Sequence, residues 1–348
     1  MTQATVLPLA KPTENVSTKV RAVFEQKTAI DAWVAGVAAR PMGITNIYLV
    51  GCGGSLFNFS PLQYFLDTQA GVPVFQINAA ELTSRQPSQL AAGSLVIASS
   101  TRGNTPETAA AATFAAKRGA AVVCVTQDAD SIVAQAANEA PNGLLVLHEG
   151  AEAKAVAQAL LGFAIATATG STESFEGELM ALRQFPEVIA SALQESEEIF
   201  ERLGREQAQN KSGIWVVGAG AQTGAASTLA MCYLQEMQWL TAAAFDAGDY
   251  LHGAMEVVTE GTPVVIFVDE TSARPLAERV ERFVAKWSGN GYVVDTARLS
   301  LAGISTQARP FITSWLFHAA FTGRIAQHFE ANTGQPLTTR RYMWKVEY

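Results

Sequence analysis

Five short apolar runs punctuate the first half of the chain: NIYLV from residue 46, VPVFQI from 72, SLVIA from 94, AVVCV from 121 and GLLVL from 143. They are rich in β-branched residues and poor in polar alternation, the pattern of strands buried on both faces of a parallel sheet. Alanine-rich helix formers such as Thr108 to Lys117 lie between them. A segment with helical spacing, TKVRAVFEQKTAIDAWVAGVAAR, leads into the first run. The alternation predicts a doubly wound α/β domain over residues 40–168, preceded by an arm and helix over 1–39. Next, ESFEGELMALRQFPEVIASALQESEEIFERLG reads as charged amphipathic helices interrupted at Pro186, with Ile189, Leu193, Phe200 and Leu203 on one face. We take residues 169–210 as a helical connector.

At residue 213 the pattern restarts. GIWVVGAGAQTG repeats the layout of NIYLVGCGGSLF: an apolar strand, a glycine-rich turn, then an alanine-rich helix, here AASTLAMCYLQEMQW. Strand candidates AAAFDA, PVVIFV and GYVVD follow. A second α/β domain over 211–348, related to the first by internal duplication, is the expectation. A length of 348 residues agrees, since single cores rarely grow that large. The fold class is therefore α/β, with two doubly wound domains, each a parallel sheet flanked by helices.

Charge removes some partners from consideration. The net charge is -8 and no block of like charge occurs, so no nucleic acid is expected to bind. Cys52, Cys124 and Cys232 are odd in number and each lies in an apolar run, which suits reduced thiols and a cytoplasmic location. The start, MTQATVLPLAKPTENV, lacks the basic and apolar regions of a signal peptide and reads as a loose arm of about 16 residues. No apolar stretch is long enough to suggest a membrane partner.

Candidate chemistry gathers at two turns, GCGGS and SSTRGNT, each just after a predicted strand and just before a predicted helix. Ligands of open parallel sheets bind at that edge. Unpaired N–H groups and a partial positive charge at a helix start favour phosphate, and hydroxyls add donors. Gly53, Gly54, Ser55, Ser100, Thr101 and Thr105 are the candidates to surround one phosphate, with Arg102 adding charge. The competing reading is that Thr105 merely caps the helix starting at Pro106, with Glu107 as its first-turn acid. A dinucleotide site fits less well: no third glycine stands in register, Glu81 is the nearest candidate ribose acid, and no Walker lysine pattern exists.

These turns resemble those of the sugar isomerase (SIS) family, in which serine and threonine donors grip a sugar phosphate. The segment QEMQWLTAAAFDAGDYLHGAMEV is similar to the pattern shared by the isomerase domain of glucosamine-6-phosphate synthase and the fructosamine-6-phosphate deglycases. The ending QPLTTRRYMWKVEY resembles the deglycase C-terminus in particular. The resemblance spans about residues 40–348. It implies a cofactor-independent deglycase, with no metal, releasing glucose 6-phosphate and an amino acid from a 6-phosphorylated Amadori product. Glu236 would be the C1 base and His252 the residue handling protons at oxygen. A homodimer or higher homo-oligomer would bring the histidine from the neighbouring chain.

The family's acid and proline near that histidine are replaced here by Asp249 and Ala254, and its C-terminal lysine by Arg341, taken as a substrate-binding candidate. Lys154 stands where such enzymes often carry a lysine at a helix start, so phosphate contact and a structural role are both open. Read without the family, Glu236 is a buried helix acid paired to a base, His252 is open between a capped structural histidine and a catalytic one, and Asp249 is open between orienting His252 and facing solvent. His318 reads as a core histidine, and His148 and His328 have no zinc-like spacing. An aldose–ketose isomerase, an aminosugar-phosphate enzyme and a non-catalytic sugar-phosphate sensor are the alternatives.

Overall fold

The computed structural model describes residues 14–347, so most of the arm expected over the first 16 residues lies outside the described residues. Its last three residues are helical, because a helix begins at Glu14. The leading segment forms two helices, Glu14–Phe24 and Lys27–Ala38. The chain divides into two compact units, one ending at Pro186 and the other beginning at Glu187.

In the first unit the strands are β1 (Asn46–Gly51), β2 (Val74–Asn78), β3 (Ser94–Ser99), β4 (Ala121–Thr126) and β5 (Gly143–Leu147). They form one parallel sheet in the order β2-β1-β3-β4-β5. Every residue of β1, β3 and β4 is buried, as continuous apolar runs require. Ile97 pairs in register with Leu49 and Val123 at the sheet centre, all three fully buried. Truncating it to alanine costs about 2–5 kcal/mol through lost contacts and a residual cavity.

The second unit holds β6 (Ile214–Gly218), β7 (Ala242–Asp246), β8 (Val264–Val268) and β9 (Gly291–Asp295) in a parallel sheet ordered β7-β6-β8-β9. That order repeats the first four strands of the other sheet. The repetition extends to a cap: the Asn78 side chain accepts from the Ala80 amide after β2, and Asp246 accepts from the Gly248 amide after β7.

The two sheets thus agree with the alternation read from the chain. Helices Glu176–Arg183 and Phe185–Gln207 occupy the stretch around Pro186, which sits in the first turn of the second helix where its missing N–H costs nothing. One element differs from expectation. The stretch AASTLAMCYLQEMQW is not a uniform α-helix: Thr223–Ser227 is α-helical and Thr228–Gln235 is π-helical. The wider turn is closed by i→i−5 bonds, such as the Glu236 amide to the Met231 carbonyl at 3.0 Å.

Candidate functional site

At the C-terminal edge of the first sheet, β1 ends in a turn whose Gly53 adopts a φ of 51°, a left-handed conformation that suits glycine. The following short helix, Gly54–Phe57, carries Ser55. Its hydroxyl lies 3.4 Å from the Thr101 hydroxyl and accepts from the Thr101 amide at 3.3 Å, joining the turn after β1 to the turn after β3. Lys154, only 3% exposed near the start of helix Gly150–Ala168, points its ammonium at both hydroxyls, 3.5 Å from each. Burying an ammonium is costly unless acceptors or an anion compensate. The expected donor turns therefore meet, and the lysine left open in sequence meets them.

Ser100 and Thr105 form their own pair, hydroxyl to hydroxyl at 2.9 Å. Thr105 occupies the N-cap position of helix Pro106–Lys117, yet its side chain makes no capping bond, so the capping alternative does not describe this hydroxyl. Arg102 is exposed on the same turn. Beside Lys154, His148 is buried, and its pKa is pushed down to about 3 by burial first and the lysine charge second. Cys124, deep in β4, has its thiol pushed up to about 12 by burial, which makes it inert.

In the second unit, Glu236 follows the π-helical segment directly and is partly buried. Burial raises its pKa, while the Arg340 guanidinium, 2.7 Å from Oε1, pulls in the opposite direction and does not prevail. The carboxylate opens into a cavity of about 440 Å³ lined by Gln235, Trp239, Arg340, Arg341 and Tyr342 among others. C-terminal tail residues close this cavity because the tail is tied to the Glu236 turn. Gln238 donates to the Gln335 carbonyl at 2.8 Å, Gln335 donates back to the Met237 carbonyl, and Thr333 donates to the Gln238 side chain at 2.6 Å. Arg341 lies over the Trp239 ring, 4.2 Å from its centroid.

His252 sits apart from this cavity. It is exposed on the turn after helix Ala247–Tyr250, with its amide bonded to the Asp249 carbonyl at 2.9 Å. Among the described residues no hydrogen bond joins the Asp249 carboxylate to the His252 ring. His318 and His328 are buried, and the His328 ring lies 3.1 Å from Glu197, which also binds Arg324. Among the described residues no cluster of His, Cys, Asp or Glu could hold a metal ion, and no helix is long and apolar enough to cross a membrane. Sequence reasoning missed Arg340 and Trp239. The adjacent arginines in TTRRY were the available signal, but only contacts reveal that the first one faces the carboxylate.

Comparison with known proteins places this geometry in a family. Residues 44–161 match the SIS domain. Fructosamine deglycase FrlB of Bacillus subtilis (strain 168) is 30% identical over 311 residues, 88% of this chain and 93% of that protein. Fructoselysine 6-phosphate deglycase of Escherichia coli (strain K12) is 25% identical over 305 residues, 86% of this chain and 87% of that protein. A crystal structure of a candidate phosphosugar isomerase from Bacillus subtilis superposes with a TM-score of 0.85 at 27% identity, covering 97% of this chain and 100% of that one. The SIS-domain match, together with 30% identity along 88% of the chain, makes it a member of the SIS-domain family of fructosamine deglycases.

Proposed function

We propose that the protein is a deglycase that cleaves a fructosamine 6-phosphate to glucose 6-phosphate and a free amine. The observation that carries the sugar-phosphate reading is the buried Lys154 ammonium set against the Ser55 and Thr101 hydroxyls, an arrangement that a phosphate dianion completes. Ser100, Thr105, Arg102 and the backbone at Gly53 and Gly54 supply further donors from the same turns. The names of the relatives support the deglycase assignment.

In the proposed chemistry Glu236 removes a proton from C1 of the open-chain ketose, and the C2 carbonyl oxygen takes up a proton, giving an enolamine. A proton delivered to C2 and loss of the N–H proton then produce a C1 imine. Water adds to that imine, and the amine departs as the C1 aldehyde forms. The proton transfers exchange oxidation level between C1 and C2 within the substrate, and the addition of water and departure of the amine change it no further, so the reaction needs no redox cofactor. A carboxylate whose pKa is raised by burial is a better base for such a proton than a fully solvated one. His252 moves protons at oxygen, and its position on an exposed turn supports a role toward a second copy of the chain.

The test is release of glucose 6-phosphate from synthetic fructosamine 6-phosphates in deuterium oxide. Product carrying deuterium at C2 supports the enolamine route with solvent exchange, whereas complete absence of label argues for direct displacement or for internal transfer shielded from solvent; a Glu236→Gln enzyme with near-normal kcat refutes the route. Mixing inactive Glu236→Gln and His252→Ala proteins is expected to restore part of the activity if hybrid dimers share a site. Hybrids without activity refute the shared histidine.

A further inference from the structure

The cavity that holds Glu236 contains more positive charge than its carboxylate can neutralise. Arg340 is committed to Glu236 at 2.7 Å and donates to the Leu337 and Thr339 carbonyls. Arg341 lines the same cavity, is exposed, and has no carboxylate partner among the described residues. Glu236 is the sole acidic residue in that lining, faced by two guanidinium groups. Arg341 is nevertheless not a freely moving surface arginine. Its guanidinium lies 4.2 Å from the centroid of Trp239, a residue held at a φ of 56° as the Glu236-bearing helical segment ends. A guanidinium ordered on an indole presents a planar fork that matches a carboxylate, and part of the ordering cost is met before any ligand arrives.

Resting on the deglycase reading, we infer that Arg341, stacked on Trp239, is a specificity-determining residue that binds the carboxylate of the amino acid attached to the sugar. If Glu236 acts at C1, the groups around it lie near the nitrogen that C1 carries. A substituent with one negative charge balances the surplus guanidinium. A plain alkylamine substituent leaves it unpaired.

The experiment compares two substrates that differ only by the carboxylate: the fructosamine 6-phosphates of alanine and of ethylamine. Wild-type enzyme is expected to favour the alanine compound in kcat/KM by about ten- to a hundredfold, the range of one charge-assisted contact. Arg341→Gln is expected to collapse that ratio toward one. Arg341→Lys, which keeps the charge but loses the fork, falls between. Equal use of both compounds by wild-type enzyme overturns the inference whether or not a variant folds, as does an Arg341→Gln enzyme with the wild-type ratio. Failure of wild-type enzyme to release glucose 6-phosphate from either compound instead refutes the deglycase reading itself.

Discussion

The turn after β3 and the turn after β8 hold equivalent places in two sheets of matching strand order, yet their chemistry is opposite. After β3, hydroxyls face one another and a buried ammonium: Ser55, Thr101 and Lys154 on one side, Ser100 and Thr105 on the other. After β8, carboxylates already occupy the donors. Asp269 accepts from the Thr271 amide and hydroxyl at 2.9 and 2.6 Å and from the Gln222 side chain at 2.7 Å. Glu270 takes both prongs of Arg309 at 2.8 Å. An anion approaching the second turn would meet negative charge and donors in use, while the first turn offers donors and a cation. Duplicated topology places a sheet edge in each unit; side-chain charge makes the first edge the better match for the phosphate of the proposed substrate.

The sharpest way to break this contrast is to separate the base from the grip. Glu236→Gln is expected to lower kcat by about 10²–10⁴-fold, the usual effect of losing a general base. Competitive inhibition by inorganic phosphate, which reads the first turn alone, should hold at its wild-type constant. Because burial raises the Glu236 pKa, the active carboxylate is lost as pH falls through a value above the ordinary 4.5. The acid limb of kcat/KM should therefore lie above that ordinary value.

Lys154→Met addresses the grip. Removing the ammonium is expected to raise KM and the phosphate inhibition constant about ten- to a hundredfold, with kcat much less affected. A change confined to kcat would place Lys154 elsewhere in the reaction.

His148 sharpens the electrostatics of the same edge. Its folded-state pKa of about 3 lies below the unfolded 6.5, so below pH 6.5 the unfolded chain binds a proton that the folded chain refuses. Stability should thus fall with acidification between pH 6.5 and 3, by on the order of 1.4 kcal/mol per pH unit from this group. Urea midpoints measured across that window should decline less steeply for His148→Asn.

Asp269→Asn, in the saturated turn, gives the smallest functional effect. We expect a stability loss of about 1–3 kcal/mol from disturbed buried hydrogen bonds and an unchanged KM. A substantial rise in KM would show that the second turn also serves the substrate.

The nine strands among the described residues were legible in the sequence as short apolar runs bounded by turns rich in glycine and hydroxyls; β1, β3, β4 and β8, buried at every position, had to be apolar except at their ends, while partly exposed strands such as β2 and β9 tolerate polar residues. The glycine turn at Gly53 and the acid Glu236 stand out for similar local reasons: a backbone conformation that suits glycine, and a charge in an apolar helix. Tertiary structure decided what local pattern cannot carry. Lys154 is 99 residues from Ser55 in sequence, and only the packing of its helix brings its ammonium to the turn. Likewise, Arg340 rather than Arg341 reaches Glu236, from a tail that the Gln238–Gln335 and Gln335–Met237 bonds tie to the same turn. The π-helical segment before Glu236 had no signature in hydrophobic spacing, since it arises from a choice between i→i−4 and i→i−5 partners that differ little in local energy. Sequence sets which groups are affordable in the interior; long-range packing selects which of them meet.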